Sequence, residues 1–249
     1  MVMKKKKEEE NLPSEDEEND QEGNRKKIII VSNITKDYEI GEYLVRAVDN
    51  VSLHIREEEF IAIKGPSGAG KTTLLNLIGG LDRPTEGDVV SFGLKISELK
   101  EESLAIFRLV HIGFIFQNYN LISTLTAEEN VMFPMDLSGV QLERQKKVAI
   151  KLLKDVGLEE RREHLPFQLS AGEQQRVAIA RAISNDPPLI LADEPTANLD
   201  HETVNLIREF FLTLKNIKKT VIIATHDDLL IELADRIIIF DDGKIKKEV

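Results

Sequence analysis

Gly65-Pro66-Ser67-Gly68-Ala69-Gly70-Lys71-Thr72 is the stretch from which the rest of the chain can be ordered. A short apolar run, Phe60 to Ile63, precedes it, and Thr73-Leu74-Leu75-Asn76-Leu77-Ile78 follows with the texture of a helix start. A G-x-x-x-x-G-K-[ST] pattern set between a strand and a helix is a phosphate-binding loop. Its glycines let backbone N–H groups turn inward around an anion, and the helix N-terminus adds partial positive charge. Lys71 is placed to reach the β- and γ-phosphates of a nucleotide, and the Thr72 hydroxyl to bind Mg²⁺.

On the N-terminal side, order begins near Ile28. Leu44 to Val48 and Val51 to Ile55 are β-rich runs broken by Gly41 and Asp49-Asn50, which predicts short antiparallel strands and turns. Residues 1–27 are almost wholly polar, with a lysine run followed by glutamate-rich text. Such a segment buries too little apolar surface to offset its ordering entropy, so a disordered charged tail is expected there.

On the C-terminal side, Gly79-Gly80 stops the helix, Val89 to Phe92 is a strand candidate, and His111 to Phe116 is a buried strand ending on Gln117. The texture then changes. Thr126-Ala127-Glu128-Glu129 is a capping box, and Gln141 to Val156 carries Val148, Leu152, Leu153 and Val156 at helical spacing. Residues from 118 to about 167 therefore read as a mostly helical insertion. Strands return at Leu189 to Ala192, ending on Asp193-Glu194, and at Val221 to Ala224, ending on Thr225-His226. A helix from about His201 to Lys215 separates them, and Ile237 to Phe240 turns at Asp242-Gly243 into a closing hairpin. Strands alternating with helices, with polar residues at strand C-termini, predict an α/β fold with its site along that edge. The expected architecture is a parallel-sheet core, an antiparallel β subdomain and an inserted helical subdomain within residues 28–249.

The 249 residues carry a net charge of −11 and no cysteine. Disulfides and cysteine–metal sites are excluded, and a main role in coating nucleic acid or anionic lipid is disfavoured. Phosphate sites depend on local N–H groups and a few cations, so the acidity does not argue against them. No apolar run approaches membrane-spanning length, and no apolar N-terminal segment resembles a signal peptide.

The chemistry-bearing residues fall at the strand ends. Asp193 ends an apolar strand, where a carboxylate can hold Mg²⁺ opposite Thr72. Glu194, next in line, can take a proton from an attacking water. Ser170 and Glu173 in Leu169-Ser170-Ala171-Gly172-Glu173-Gln174-Gln175 form a capping box that starts a helix running to about Ile183. A serine-capped helix start with glycine beside it can meet a phosphate, here the γ-phosphate of a nucleotide held by a second subunit.

Taken in order, Tyr38, GPSGAGKT, Gln117, LSAGEQQ, LILADEP, Asn198-Leu199-Asp200 and His226 resemble the nucleotide-binding domain of an ATP-binding cassette (ABC) transporter, from Ile28 to Val249. That resemblance implies an ATPase with ATP and Mg²⁺ as ligands. Gly65, Pro66, Ser67, Gly68, Ala69, Gly70, Lys71, Thr72 and Thr73 would hold the nucleotide phosphates, and Tyr38 would stack on adenine. Thr72, Gln117 and Asp193 would serve the metal. Glu194, His226, Lys71 and Gln117 would act in hydrolysis. Ser170 and Gly172 would contact the γ-phosphate across a head-to-tail homodimer, and Asp200 would communicate between the two sites. An integral membrane permease on a separate chain is the implied partner, no nucleic acid is expected, and the place is the cytoplasmic face of the membrane. Asn76 to Gly87 and Gly113 to Val131 are similar to the lipoprotein-release and macrolide-export branch. The competing class is a soluble or scaffold ABC ATPase of division, DNA-repair or translation type. It fits less well, because the interval between loop and signature holds no sustained heptads and the chain carries one cassette. Three departures stand out. Ala171 replaces a usual glycine and is tolerable only with helical dihedrals. Glu173 stands for glutamine, with a carboxylate that would weaken the field near the γ-phosphate. Glu58 occupies a turn where glycine is common.

Overall fold

The computed structural model describes residues 25–249. Of the segment expected to be a disordered tail, residues 1–24 lie outside the described residues.

Three short strands, β3 (Phe60–Lys64), β7 (Leu189–Asp193) and β8 (Thr220–Ala224), are buried along almost their whole length. Continuous apolar runs of this kind suit parallel strands covered on both faces. They pair with β6 (Ile112–Ile115), β9 (Arg236–Asp241) and β10 (Lys244–Glu248) in a six-stranded sheet of order β10-β9-β3-β8-β7-β6. All pairings are parallel except the closing hairpin β9-β10. Parallel alignment puts the C-terminal ends of the five parallel strands on one edge, so Lys64, Asp193, Thr225 and Phe116 emerge together there.

Alternate residues of the strands face two different cores. Ile61, Ile63, Leu191 and Ile222 pack with α1 (Lys71–Ile78) and with the second sheet. Phe60, Ala62, Ile190 and Val221 pack with Ile207, Phe211 and Leu214 of α6 (His201–Asn216). The Phe60 and Phe211 rings meet edge to face at 6.1 Å. The second sheet is antiparallel, of order β2-β1-β4-β5, built from β1 (Lys27–Ile40), β2 (Tyr43–Arg56), β4 (Glu86–Ser91) and β5 (Leu94–Lys95). A third cluster joins α3 (Ala127–Leu137), α4 (Leu142–Asp155) and α5 (Ala171–Ala182) through Val131, Ala149, Leu153 and Val177.

Several elements differ from the sequence reading. The runs Leu44 to Val48 and Val51 to Ile55, expected as separate strands, are one 14-residue strand, β2, and its partner β1 is equally long. Asn33 and Asn50, at φ 50° and 51°, interrupt their pairing as bulges without ending them. An unforeseen helix, α2 (Glu101–His111), precedes β6. A short α7 (Asp228–Ile231) follows β8. Among the described residues, no helix is long and apolar enough to cross a membrane.

Candidate active site

Every loop residue from Gly65 to Thr73 lines a cavity of about 540 Å³, and Gln117, Asp193, Glu194 and His226 join it from neighbouring strand ends. The loop is cramped from behind. A Cβ on Gly65 would lie 1.9 Å from the Phe240 carbonyl oxygen, and one on Gly70 would lie 2.1 Å from the Ala47 carbonyl oxygen. Gly70 also has φ +98°, which an L side chain rarely adopts. Gly243, in the β9-β10 turn, donates its N–H to the Ala69 carbonyl at 3.0 Å, and the Phe240 ring stands against Gly70. Sequence reasoning read that turn only as a hairpin. Its Asp-Gly text carried no hint that it also supports the phosphate loop.

α1 begins at Gly70 with no side-chain cap and no acidic residue in its first turn. Its free N–H groups and dipole thus open into the cavity. Lys71 is 7% exposed and donates to the Gly65 and Pro66 carbonyls at 2.8 and 3.0 Å. Its Nζ is also 3.6 Å from Glu194 Oε1. With the ammonium folded onto its own loop, these carbonyls and the carboxylate compete for the bonds a bound phosphate would take.

Asp193, at the end of β7, accepts a 2.8 Å hydrogen bond from Thr72 Oγ1 on Oδ2. Its Oδ1 is buried and has no hydrogen-bond partner among the described residues. Burial pushes this carboxyl above its ordinary pKa, and the Thr72 bond pulls only partly against that. Glu194 has φ 42°, and its N–H bonds the Ala224 carbonyl at 2.8 Å, so the backbone turns sharply where β7 ends. That turn sets its carboxylate between Lys71 and His226, whose Nδ1 is 2.9 Å from Oε2. A carboxylate held at both ends beside a phosphate cavity can orient water and accept its proton. Gln117, just past β6, is exposed on the same cavity.

Ser170, Gly172, Asp200 and Tyr38 do not line this cavity. Ser170 and Ala171 are exposed at the start of α5, where Ser170 Oγ accepts the Glu173 N–H at 3.2 Å. Glu173 in return accepts the Ser170 N–H at 2.8 Å and pairs with Arg161 at 3.2 Å. The backbone bond from Ser170 is the main cause holding the Glu173 carboxyl below its ordinary pKa. Its charge is therefore answered locally. Ala171 is the first residue of α5, so the alanine meets the helical requirement set by the sequence. Gly172 is buried, and a Cβ there would lie 2.8 Å from Thr203 Oγ1. Thr203 is in turn held by Asp200, which caps α6 through bonds of 2.9 and 2.7 Å.

Tyr38 donates its hydroxyl to Asp82 at 2.7 Å, and Lys36 Nζ stands 4.9 Å over its ring. Lys36 also pairs with Asp82 at 2.6 Å. Nothing in the sequence linked these three positions. Glu58 has φ 60°, with its N–H bonded to Thr220 Oγ1 at 2.9 Å, so a turn that suits glycine is fastened here by a side chain.

Residues 48–197 match the family described as ABC transporter. The ABC transporter ATP-binding protein MJ0796 of Methanocaldococcus jannaschii is 46% identical over 223 residues, covering 88% of this chain and 95% of that one. The macrolide export ATP-binding/permease protein MacB of Hyphomonas neptunium is 46% identical over 215 residues, which are 86% of this chain but 33% of MacB. Among solved structures, the dimeric post-hydrolysis state of MJ0796 bound to ADP and Pi superposes with a TM-score of 0.85 at 44% identity, covering 89% of this chain and 97% of that one. CbiO1 of Clostridium perfringens, part of the cbiONQ transporter complex, gives 0.76 at 26% identity, covering 89% and 88%.

Proposed function

The chain belongs to the ABC transporter ATP-binding proteins, and on that footing we propose that it is the ATP-hydrolysing subunit of a membrane transporter. It works as an ATP-dependent head-to-tail homodimer at the cytoplasmic face of the membrane, driving a permease on a separate chain. The MacB relatives combine ATP-binding and permease parts in one name, and this chain spans about a third of them. The match to the ABC transporter family is what supports a membrane permease partner. The MacB relatives favour an export type of transporter, and the resemblance of Asn76 to Gly87 and Gly113 to Val131 adds the lipoprotein-release type.

One observation carries the hydrolytic reading: the Glu194 carboxylate lies between Lys71 and His226 at the mouth of an uncapped helix start. ATP enters with its phosphates on the α1 amides, and Lys71 leaves the Gly65 and Pro66 carbonyls for the β- and γ-oxygens. Glu194 orients a water and accepts its proton, while His226 holds the far carboxylate oxygen in place. Preorganised charge of this kind lowers the barrier without moving during the reaction. The partner's Ser170 to Gly172, absent from this chain's own cavity, would close the γ-phosphate side.

The residues present suit Mg²⁺. Asp193 Oδ1 is a buried oxygen without a partner among the described residues, and the Asp193 side chain bonds the Thr72 hydroxyl in the cavity that Gln117 also lines. Hard oxygen donors few in number match a cation that keeps phosphate and water ligands. Among the described residues, no cluster of three or more His, Cys, Asp or Glu offers a full protein cage. Thr72, Asp193 and Gln117 would hold it, and it would neutralise charge developing on the phosphate oxygens.

The test is Glu194→Gln. Hydrolysis should fall by roughly a hundredfold or more, the usual contribution of a general base. ATP should still bind, and a dimer should accumulate in size-exclusion chromatography. Unchanged turnover would remove Glu194 from the chemistry.

A further inference from the structure

Among the described residues, the most exposed large apolar side chains are Tyr43 and Phe167, each 78% accessible. They stand at opposite halves of the proposed site. Phe167 sits in a single 3₁₀ turn, Pro166–Gln168, just ahead of the Ser170 start of α5. The turn is fastened. Gln168 Oε1 accepts the Leu165 N–H at 2.8 Å, the Leu165 carbonyl accepts the Gln168 N–H at 2.9 Å, and Pro166 and Leu169 are buried on either side. A fixed turn thus holds a phenyl ring out to solvent, three residues before the serine that faces a partner's γ-phosphate in the proposed dimer. One exposed ring alone is ordinary; this one has a counterpart.

Tyr43 belongs to the hairpin of β1 and β2. Tyr38 is paired with Val45 and Ile40 with Tyr43, and opposed residues of an antiparallel ladder share a face. These four side chains therefore line one face of the hairpin, where Ile40 is 62% and Val45 45% exposed. Ala47, two residues past Val45, lines the phosphate cavity. The cavity walls are the phosphate loop and the strand ends, so the base of a bound ATP lies beyond them, and the hairpin face is the apolar surface that adjoins. Seated there, the base has one flat side on the hairpin and the other open to water.

We infer that Phe167 of one copy covers the open side of the nucleobase held by the other, so that each base is enclosed between the β1-β2 hairpin and a partner ring. The inference rests on the head-to-tail homodimer proposed above and adds a residue that makes the base part of the contact. Three residues span at most about 10 Å. With Ser170 at the γ-phosphate, Phe167 therefore extends the same partner surface back along the nucleotide toward ribose and base. An aromatic ring stacks on the π-face of any base, and buried aromatic anchors carry much of the energy of an interface. The ring is buried only when nucleotide and second copy are both present, so closure responds to the whole nucleotide and not to its triphosphate alone.

The test uses the full chain carrying Glu194→Gln, with ATP and with the triphosphate of 2-aminopurine riboside, whose fluorescence is quenched by stacking. In sedimentation velocity, adding Phe167→Ala should raise the ATP-dependent dimer dissociation constant about tenfold, and Phe167→Trp should restore it. ATP affinity of the monomer by calorimetry and thermal melting of the nucleotide-free chain should not change, since the removed ring is exposed there. Dimer formation should deepen the quenching of 2-aminopurine in the parent and in Phe167→Trp. In Phe167→Ala that extra quenching should be missing even where high protein concentration forces the dimer. A dimer constant unmoved by Phe167→Ala overturns the inference. So does a weakened dimer whose probe is quenched as in the parent, or equal weakening when inorganic tripolyphosphate replaces ATP, because the ring would then rest on the partner's protein surface. A parent chain that forms no dimer with ATP overturns the homodimer reading and this inference together, whereas a normal dimer with a silent Phe167 overturns this inference alone.

Discussion

α1 and α5 both begin beside a glycine, and both are phosphate-facing in the proposed cycle, yet the chain finishes their N-termini in opposite ways. α1 starts at Gly70 with left-handed backbone, no cap and no acidic first turn. α5 starts at Ser170 with a complete capping box, and its acidic first-turn residue is paired with Arg161. An uncapped start costs stability until an anion arrives, while a capped start is stable by itself and exposed. The difference teaches which half of the site is built to be filled within the chain and which is built to be presented to another copy.

The strongest way to break the contrast is Gly70→Ala. Its Cβ would meet the Ala47 carbonyl in a backbone conformation that alanine resists. We expect a stability loss of about 3 kcal/mol in chemical denaturation, and ATP affinity reduced by about a hundredfold or more in calorimetry. Gly172→Ala strikes the other helix. Its Cβ would press on Thr203 and through it on the Asp200 cap. Hydrolysis should drop about tenfold, with ATP binding to the monomer unchanged and a stability cost of about 1–3 kcal/mol. Equal damage to monomer binding in both variants would erase the distinction.

A smaller effect sharpens it. Burial raises the Asp193 carboxyl, so the folded state favours the protonated form there. Its stability contribution is full below the unfolded carboxylate range and is lost as pH rises through the folded value. Asp193→Asn should therefore raise the melting temperature of the nucleotide-free protein at neutral pH by about 2–4 °C, and the gain should fade in acid. Glu173 runs the other way. Its lowered carboxyl contributes above the unfolded value and loses that contribution as pH falls through the folded one. Glu173→Gln should thus destabilise at neutral pH and converge with wild type in acid. Parallel melting curves for the two variants across pH would contradict these assignments.

What the sequence made legible followed from short-range chemistry. The loop, the capping boxes at Thr126 and Ser170, and the acidic and histidine strand ends are local patterns, and the structure carries each on the expected strand or helix. α2 was missed because Ile106 and Val110, both exposed, blur the apolar stripe that Leu104 and Phe107 would otherwise mark. The breaks read at Asp49-Asn50 looked like strand ends because turn residues and bulge residues are the same types. The field-weakening expected of Glu173 could not be judged from sequence, since its Arg161 partner comes from a separate turn. Tyr38, Lys36 and Asp82 meet only through the fold.

The contacts behind the phosphate loop set an order of events. Phe240 and Gly243 form the wall against which Gly65, Ala69 and Gly70 rest. During synthesis the loop emerges early, but that wall emerges only after nearly all the rest of the domain. A growing chain thus carries the nucleotide signature without a nucleotide site, and ATP cannot stabilise a half-made sheet, because a ligand favours only the state that binds it. Nucleotide binding becomes a mark of completed folding, and energy conversion cannot begin before the two ends of the domain have met.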